Sequence, residues 1–195
     1  MIMRFTLGPP PSSCTVGPAW TALKEPGPWA MQAVAVPVGA ALAVAALGGW
    51  VCIAPVSLPR SEGTLVLIGW LCVLIPAHEW LHAVAHPSFG LTPQTVVGFW
   101  PSRLLFFAHY DGCLSRNRLI LVFLLPTLVL TLLPVLLATV WRIHSDWFVF
   151  VSSLNALIAG VDVCSVLLLI SQVPVSARVQ NEGYKTYWQQ YPAEV

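Results

Sequence analysis

The chain alternates between four long apolar segments and shorter polar stretches. The apolar segments cover residues 29–54, 63–85, 119–141 and 147–171. A bilayer-spanning helix needs about 20 predominantly apolar residues, and each segment reaches that length. Because the hydrocarbon core offers no water to bond the backbone, each segment is expected to be a helix. The pattern predicts an all-α integral membrane protein, built as a four-helix transmembrane bundle.

One connecting segment, residues 87–118, follows a different pattern. It contains TVVGFW and RLLFFAHY on either side of Pro101 and Ser102, and a turn signal at Asp111 and Gly112. Short runs rich in β-branched and aromatic residues around a turn are typical of paired strands. We therefore expect a small β-hairpin between the second and third helices.

The two ends of the chain are less apolar than its middle. Residues 1–28 are rich in proline and residues 173–195 are polar. We expect an N-terminal tail (1–28), a membrane-embedded domain (29–172) and a C-terminal tail (173–195). Prolines also lie inside the predicted helices, where each removes a backbone donor and is expected to bend its helix.

Composition supports a membrane protein. Hydrophobic residues make up 57% of the chain and charged residues only 9%, whereas soluble domains carry about 25% charged residues. The net charge is only +1, so nothing in it suggests a nucleic-acid partner. The expected surroundings are a lipid bilayer, with the chain a multi-pass protein of the cell membrane.

The basic residues predict the orientation, since Lys and Arg accumulate on the cytoplasmic side of short loops. Seven of the nine lie in the two tails and the hairpin segment: Arg4, Lys24, Arg103, Arg116, Arg118, Arg178 and Lys185. The opposite side has only Arg60 and Arg142. Both termini are therefore expected to be cytoplasmic, and the second helix to end at the cytoplasmic face.

The second helix carries an H-E-x-x-H motif formed by His78, Glu79 and His82. Residues four apart share one face of a helix, so both imidazoles can bind one metal ion. Glu79 can take a proton from a water that zinc has acidified. Such a motif should occur by chance in roughly 1% of chains of this length. The motif predicts a zinc site with Glu79 as the catalytic base.

A catalytic zinc usually takes a third protein ligand, and Asp162 is the candidate we favour. His78 and Asp162 each lie 15 residues from the start of their apolar segments, which places both about 22 Å below the outer face. His86 is about 12 Å further along the helix than His78 and is expected to end the helix or to contact lipid headgroups. His109 remains the rival ligand, or else a substrate-binding residue. Asn155 is a candidate for binding substrate or an oxyanion, or for bonding between helices.

Several of these features together resemble a known family. HEWLH in one transmembrane helix, the hairpin, LSRNRLILVFLLP at the start of the next helix and NALIAGVD in the last are similar to the putative zincin peptidases, small membrane proteins related to the site-2 proteases. The resemblance covers roughly residues 60–172. It implies that His78, His82 and Asp162 bind Zn²⁺ and that Glu79 activates water. The neighbours of the aspartate, GVDV, depart from the Asn-Pro-Asp-Gly pattern of the site-2 proteases.

These observations predict an intramembrane zinc metalloprotease that cleaves a membrane protein or peptide substrate near the cytoplasmic face. The hairpin could bind an extended substrate by strand addition. The alternative is a non-catalytic metal-binding scaffold that holds a partner helix. An iron-dependent oxidase is disfavoured because such sites use several histidine clusters and the chain has five histidines.

Overall fold

The computed structural model describes residues 3–12, 16–53, 64–143 and 145–190. His144 and Arg60 lie outside them. Six α-helices are present in these ranges: α1 (Pro28–Ile53), α2 (Thr64–Ala85), α3 (Arg116–Pro126), α4 (Leu133–Trp141), α5 (Asp146–Ile158) and α6 (Gly160–Gln172). A π-helical turn, Thr127–Leu132, joins α3 to α4.

Three helices in the described ranges are long and apolar enough to cross a membrane: Pro28–Ile53, Ile68–Ala85 and Arg116–Trp141. The fourth predicted span is a pair, because α5 and α6 meet at a bend of 49°. The prediction of four apolar segments is therefore confirmed in position, but the last one is not a single straight helix.

The α5–α6 junction packs closely against α1. A side chain on Gly160 would come within 2.3 Å of the Ala35 carbonyl oxygen, and one on Gly39 within 2.1 Å of the Leu157 carbonyl oxygen. Small residues at a helix crossing let the backbones approach to this distance. The start of α6 is thus held directly against α1.

The expected hairpin is present and belongs to a three-stranded sheet. β3 (Thr95–Trp100) and β4 (Leu105–Tyr110) pair antiparallel, and a short 3₁₀ turn at Pro101–Arg103 connects them. The N-terminal strand β1 (Arg4–Leu7) pairs in parallel with the other edge of β3. The strand order is β1-β3-β4.

A second sheet forms from segments that the sequence assigned to the tails, together with a short strand from the 87–118 segment. Its order is β2-β7-β6-β5, with β2 at Thr21–Ala22, β5 at Cys113–Ser115, β6 at Ala177–Glu182 and β7 at Lys185–Gln190. Gly183, at a positive φ of 58°, allows the two-residue turn between β6 and β7.

The expectation of an all-α fold is therefore confirmed only in part: the described residues are mostly helical but not purely so. The described residues contain seven strands in two sheets beside the helices. The physical reason is that each tail strand is too short to be stable alone. β1 and β2 pair only with strands distant in the sequence, and the local hairpin of β6 and β7 is flanked by the distant strands β5 and β2. Ala177 and Val179 are buried in this sheet.

Candidate metal centre

The last two turns of α2 bring both motif histidines to one buried face. His78 and His82 lie one turn apart and are 3% and 5% exposed. Their Nε2 atoms are 3.1 Å apart, and the rings meet edge to face with centroids 4.8 Å apart. The two imidazoles therefore aim the same ring nitrogen at one point.

Asp162 reaches that point from the first turn of α6. Its Oδ2 lies 3.0 Å from Nε2 of His78 and its Oδ1 lies 3.3 Å from Nε2 of His82. The carboxylate is buried. Although Oδ2 is close to His78, it makes no hydrogen bond of acceptable angle with any described residue. The carboxylate oxygens and the two nitrogens are thus directed at a shared centre, not aligned with one another.

Asn155 fixes the protonation of His78. The amide nitrogen of Asn155 donates to the Pro126 carbonyl at 3.1 Å and to Thr131 Oγ1 at 2.9 Å. Its Oδ1 must therefore be the atom 2.8 Å from Nδ1 of His78. Because an amide oxygen only accepts, Nδ1 of His78 carries the proton.

His82 has the same tautomer for a simpler reason. Its Nδ1 lies 2.8 Å from the Val122 carbonyl oxygen. A carbonyl oxygen cannot donate, so Nδ1 of His82 is the donor. When both rings are neutral, the Nε2 atom of each consequently presents its lone pair to the shared centre.

This arrangement fits a divalent cation. Two imidazole lone pairs and a carboxylate, all buried and about 3 Å apart, repel one another unless a positive charge lies between them. A single proton can bridge only two of these groups, whereas a metal ion binds all three. Zinc–nitrogen bonds of about 2.0–2.1 Å in a tetrahedron place ligand atoms about 3.3 Å apart, close to the separations observed. The donor set of two imidazoles and one carboxylate suits zinc.

Glu79 completes the cluster. Its carboxylate and the ring nitrogens of His78 and His82 supply ligand atoms that lie within 4.8 Å of one another. Unlike the two histidines, Glu79 is partly accessible. It lines an open groove of about 570 Å³ together with Pro76 and Trp80 of α2.

The opposite wall of this groove is one face of the three-stranded sheet. In the register of the sheet, Phe5 pairs with Val97, Leu7 with Phe99, and Phe99 with Phe106. Paired residues point to the same side of a sheet, so these side chains share the face that lines the groove. Among the described residues lining it, Glu79 is the only charged one.

The outer edge of β4 also faces Glu79. The N–H of Asp111 donates to the Gln94 carbonyl of the β3 side. Because bonded residues alternate along an antiparallel ladder, Ala108 directs its backbone groups away from β3. Its N–H lies within reach of the Glu79 carboxylate. The edge of the sheet and the proposed base therefore lie side by side.

The structure does not bring His109 to this centre. His109 pairs with Val96, which in turn pairs with Arg4, so it lies on the face of the sheet turned away from the groove. Burial lowers the pKa of His109 to about 4, partly offset by Asp111. Its Nε2 has no hydrogen-bond partner among the described residues.

His86 follows the last residue of α2, as the sequence suggested, and takes no part in the cluster. It is fully buried rather than directed at lipid headgroups. Its Nδ1 contacts Thr95 Oγ1 at 3.3 Å. Arg118 bonds the carbonyl oxygens of Ala85 and His86, at 2.6 and 3.0 Å, and so caps the end of α2.

Comparison with known proteins agrees with this geometry. The family described as putative zincin peptidase matches residues 71–178, more than half of the chain. The chain belongs to this family. The matched region contains His78, Glu79, His82 and Asp162 and both strands of the hairpin. No curated protein and no solved structure matches the chain.

Family membership and the His-Glu-His cluster support a zinc metallopeptidase. Sequence reasoning missed the groups that orient the two histidines. Val122 and Thr131 are ordinary apolar-helix residues in the sequence, and only folding reveals their contacts. One signal was present: Pro126 follows Val122 by four residues, so it leaves the Val122 carbonyl without its usual helical donor.

Proposed function

We propose that this protein is a membrane-embedded zinc metalloprotease of the site-2 type, which hydrolyses peptide bonds at or near the cytoplasmic membrane face. The observation that carries the proposal is the tautomeric state of the two histidines. Asn155 and the Val122 carbonyl hold both Nδ1 protons, so both Nε2 lone pairs face the Asp162 carboxylate. This cluster needs a cation, and it is adjacent to a carboxylate that opens onto a groove.

In this proposal His78, His82 and Asp162 hold the metal. Zinc, when bound, supplies a Lewis acid that polarises the scissile carbonyl and acidifies the attacking water. The Glu79 carboxylate accepts the proton of that water and then donates it to the leaving amine nitrogen. Asn155 acts on His78 and not on the substrate, because its oxygen and its nitrogen are both committed to other groups.

The groove supports an extended, apolar substrate. Its walls are aromatic and aliphatic, and Glu79 lies at one side. The order β1-β3-β4 leaves the outer edges of β1 and β4 as the two edges of this sheet, and we propose that a substrate strand adds to that of β4. That edge passes Glu79 at Ala108. A membrane protein segment unwound at the bilayer surface has this chemistry.

Large apolar side chains on the outside of the helices support insertion in a bilayer. They are exposed along α1, α4 and α6, at Val36, Val44, Val51, Leu136, Leu167 and Ile170. Exposing so much apolar surface to water would be unfavourable. We therefore place the protein in the cell membrane as a multi-pass protein.

The test is cleavage of a model transmembrane substrate by the purified chain in detergent, combined with elemental analysis for zinc. We expect about one zinc per chain and cleavage that Glu79→Gln abolishes while zinc remains bound. Asp146→Asn, an acidic residue outside the cluster, is the matched control. Full cleavage by Glu79→Gln would refute the mechanism. Zinc binding without cleavage by the wild-type chain would favour the non-catalytic scaffold.

A further inference from the structure

One backbone carbonyl in α3, that of Val122, lacks its usual hydrogen-bond donor within the helix. In an α-helix the Val122 carbonyl would accept from the N–H of residue 126, but that residue is proline and has none. The next amide, Thr127 N–H, bonds to the Leu124 carbonyl. The Val122 oxygen instead accepts the Nδ1–H of His82 at 2.8 Å.

The carbonyl of Pro126 itself orients the other histidine, His78, through Asn155. It accepts from the amide nitrogen of Asn155 at 3.1 Å. This bond determines which way the Asn155 amide faces and leaves its oxygen 2.8 Å from Nδ1 of His78. Thr131, in the π-helical turn that follows Pro126, provides the second acceptor for the same amide nitrogen.

From these contacts we infer that Pro126 is a positioning residue for the metal centre. Its missing N–H releases the acceptor that orients His82, and its carbonyl orients Asn155 and thereby His78. Residues that hold the far nitrogen of a metal-binding histidine fix its tautomer and ring direction and raise its affinity for the metal. The inference rests on the proposed zinc centre, but it concerns residues that lie outside the ligand set.

The chain contains a matched control in the same membrane span. Pro134 also lies within Arg116–Trp141 and also lacks an N–H. The carbonyl that Pro134 leaves without a helical donor is that of Leu130, four residues earlier. Leu130 makes no contact with either histidine in the described structure. A general effect of helix prolines would be common to both positions, whereas positioning of the histidines is specific to Pro126.

The experiment compares Pro126→Ala with Pro134→Ala in the full chain in detergent. Zinc affinity is measured by competition with a chelator, and the melting temperature is measured on the metal-free protein. Alanine at 126 restores an N–H that can take back the Val122 carbonyl. We expect Pro126→Ala to weaken zinc binding by about 10- to 100-fold, the usual effect of losing such a partner. Its metal-free melting temperature should not fall, because alanine is the better helix former.

A spectroscopic reading separates positioning from general damage. In the zinc-loaded protein labelled with ¹⁵N-histidine, the Nδ1–H proton of His82 should be shielded from exchange and shifted downfield by its bond to Val122. Pro126→Ala should move this resonance, and Pro134→Ala should leave it in place.

Three results would overturn the inference: zinc affinity unchanged in Pro126→Ala, an equal loss in Pro134→Ala, or a loss accompanied by a lower metal-free melting temperature. None of these would affect the proposed peptidase. A wild-type chain that binds no zinc would overturn the metal centre and the inference together.

Discussion

At the scale of single residues, His78 is held from both sides of its ring. Asn155 contacts Nδ1 at 2.8 Å and Asp162 lies 3.0 Å from Nε2. The first contact fixes the tautomer, and the second supplies negative charge where the lone pair points. Charge and tautomer together make the site selective for a cation, so removing either should weaken metal binding without removing much packing.

Asp162→Asn tests the effect of the carboxylate's charge while keeping the shape of the side chain. The amide keeps the volume of the carboxylate, and its N–H can donate to a histidine Nε2, which would relieve the repulsion without a metal. We expect zinc affinity to fall by on the order of 100-fold or more, beyond the loss typical of an outer partner. The metal-free melting temperature should be maintained or raised. Chelator competition and thermal melting measure both, and wild-type zinc affinity in this variant would remove Asp162 from the ligand set.

His86 makes stability depend on pH. Burial lowers the pKa of His86 to about 3, with His82, His109 and Arg118 adding to the effect. Between that value and about 6.5, the unfolded chain binds a proton that the folded chain does not. Stability should therefore fall as pH drops below about 6.5. His86→Gln, which keeps a polar group near Thr95, should flatten the melting temperature between pH 7 and pH 5.

Glu25 has the opposite effect to His86 on how stability depends on pH. Burial raises the pKa of Glu25 to about 7. Its contribution to the stability of the fold is therefore greatest at acidic pH and is lost as pH rises from about 4.5 to 7. Glu25→Gln should therefore make the acid-induced fall in melting temperature steeper. An identical pH profile in wild type and His86→Gln would show that His86 is not buried in its neutral form.

At the scale of elements, the break between α5 and α6 builds the site. Asn155 and Asp162 are seven residues apart, about 10 Å along a straight helix. The bend of 49° between the two helices allows α5 to approach Nδ1 of His78 while α6 approaches its Nε2. Gly39 and Gly160 make this bend possible, because the junction packs directly on the backbone of α1.

Gly160→Ala should therefore disturb both stability and the site. The new methyl group would meet the Ala35 carbonyl at 2.3 Å and the Gly39 nitrogen at 2.9 Å, both of them backbone atoms. We expect a loss of about 1–3 kcal/mol, as for other overpacked contacts, and weaker zinc binding. Gly48→Ala is the control, since nothing lies within 4 Å of its added carbon. Equal melting temperatures of the two variants would contradict the close packing of α1 against α6.

The same elements show what a sequence can and cannot reveal. His78 and His82 are local, because helical spacing alone puts them on one face. Asp162 could be reached by matching depth between two apolar segments. The role of Asn155 could not be predicted in this way, because it depends on the bend between α5 and α6 and on the Pro126 carbonyl of α3. The strands β1 and β2 were missed because each pairs only with a strand distant in the chain. Distant strands, β2 and β5, also flank the local hairpin formed by β6 and β7. The Gly183 turn was the one local signal for the last two.

At the scale of the whole molecule, strand pairing constrains the topology. β2 precedes the first helix and β7 follows the last, yet Thr21 pairs with Trp188. Both ends of the helical region therefore lie on the same side of any membrane, and the number of crossings between them is even. If α1, α2 and Arg116–Trp141 each cross once, as their length and composition allow, the bent pair α5–α6 supplies the fourth crossing. A re-entrant α5–α6 loop would leave three crossings and separate β2 from β7.

This argument predicts which residues are accessible from each side. The distribution of basic residues predicts that the shared end lies in the cytoplasm. In a background with the native cysteines replaced, Ile143→Cys lies after α4 and Val175→Cys after α6, and both positions are exposed. A membrane-impermeant maleimide should label Ile143→Cys on intact cells, and Val175→Cys only after permeabilisation. The reverse pattern would invert the orientation. Labelling of both from one side would mean that α5–α6 does not cross the membrane. With three crossings before it, that result would contradict the constraint set by β2 and β7.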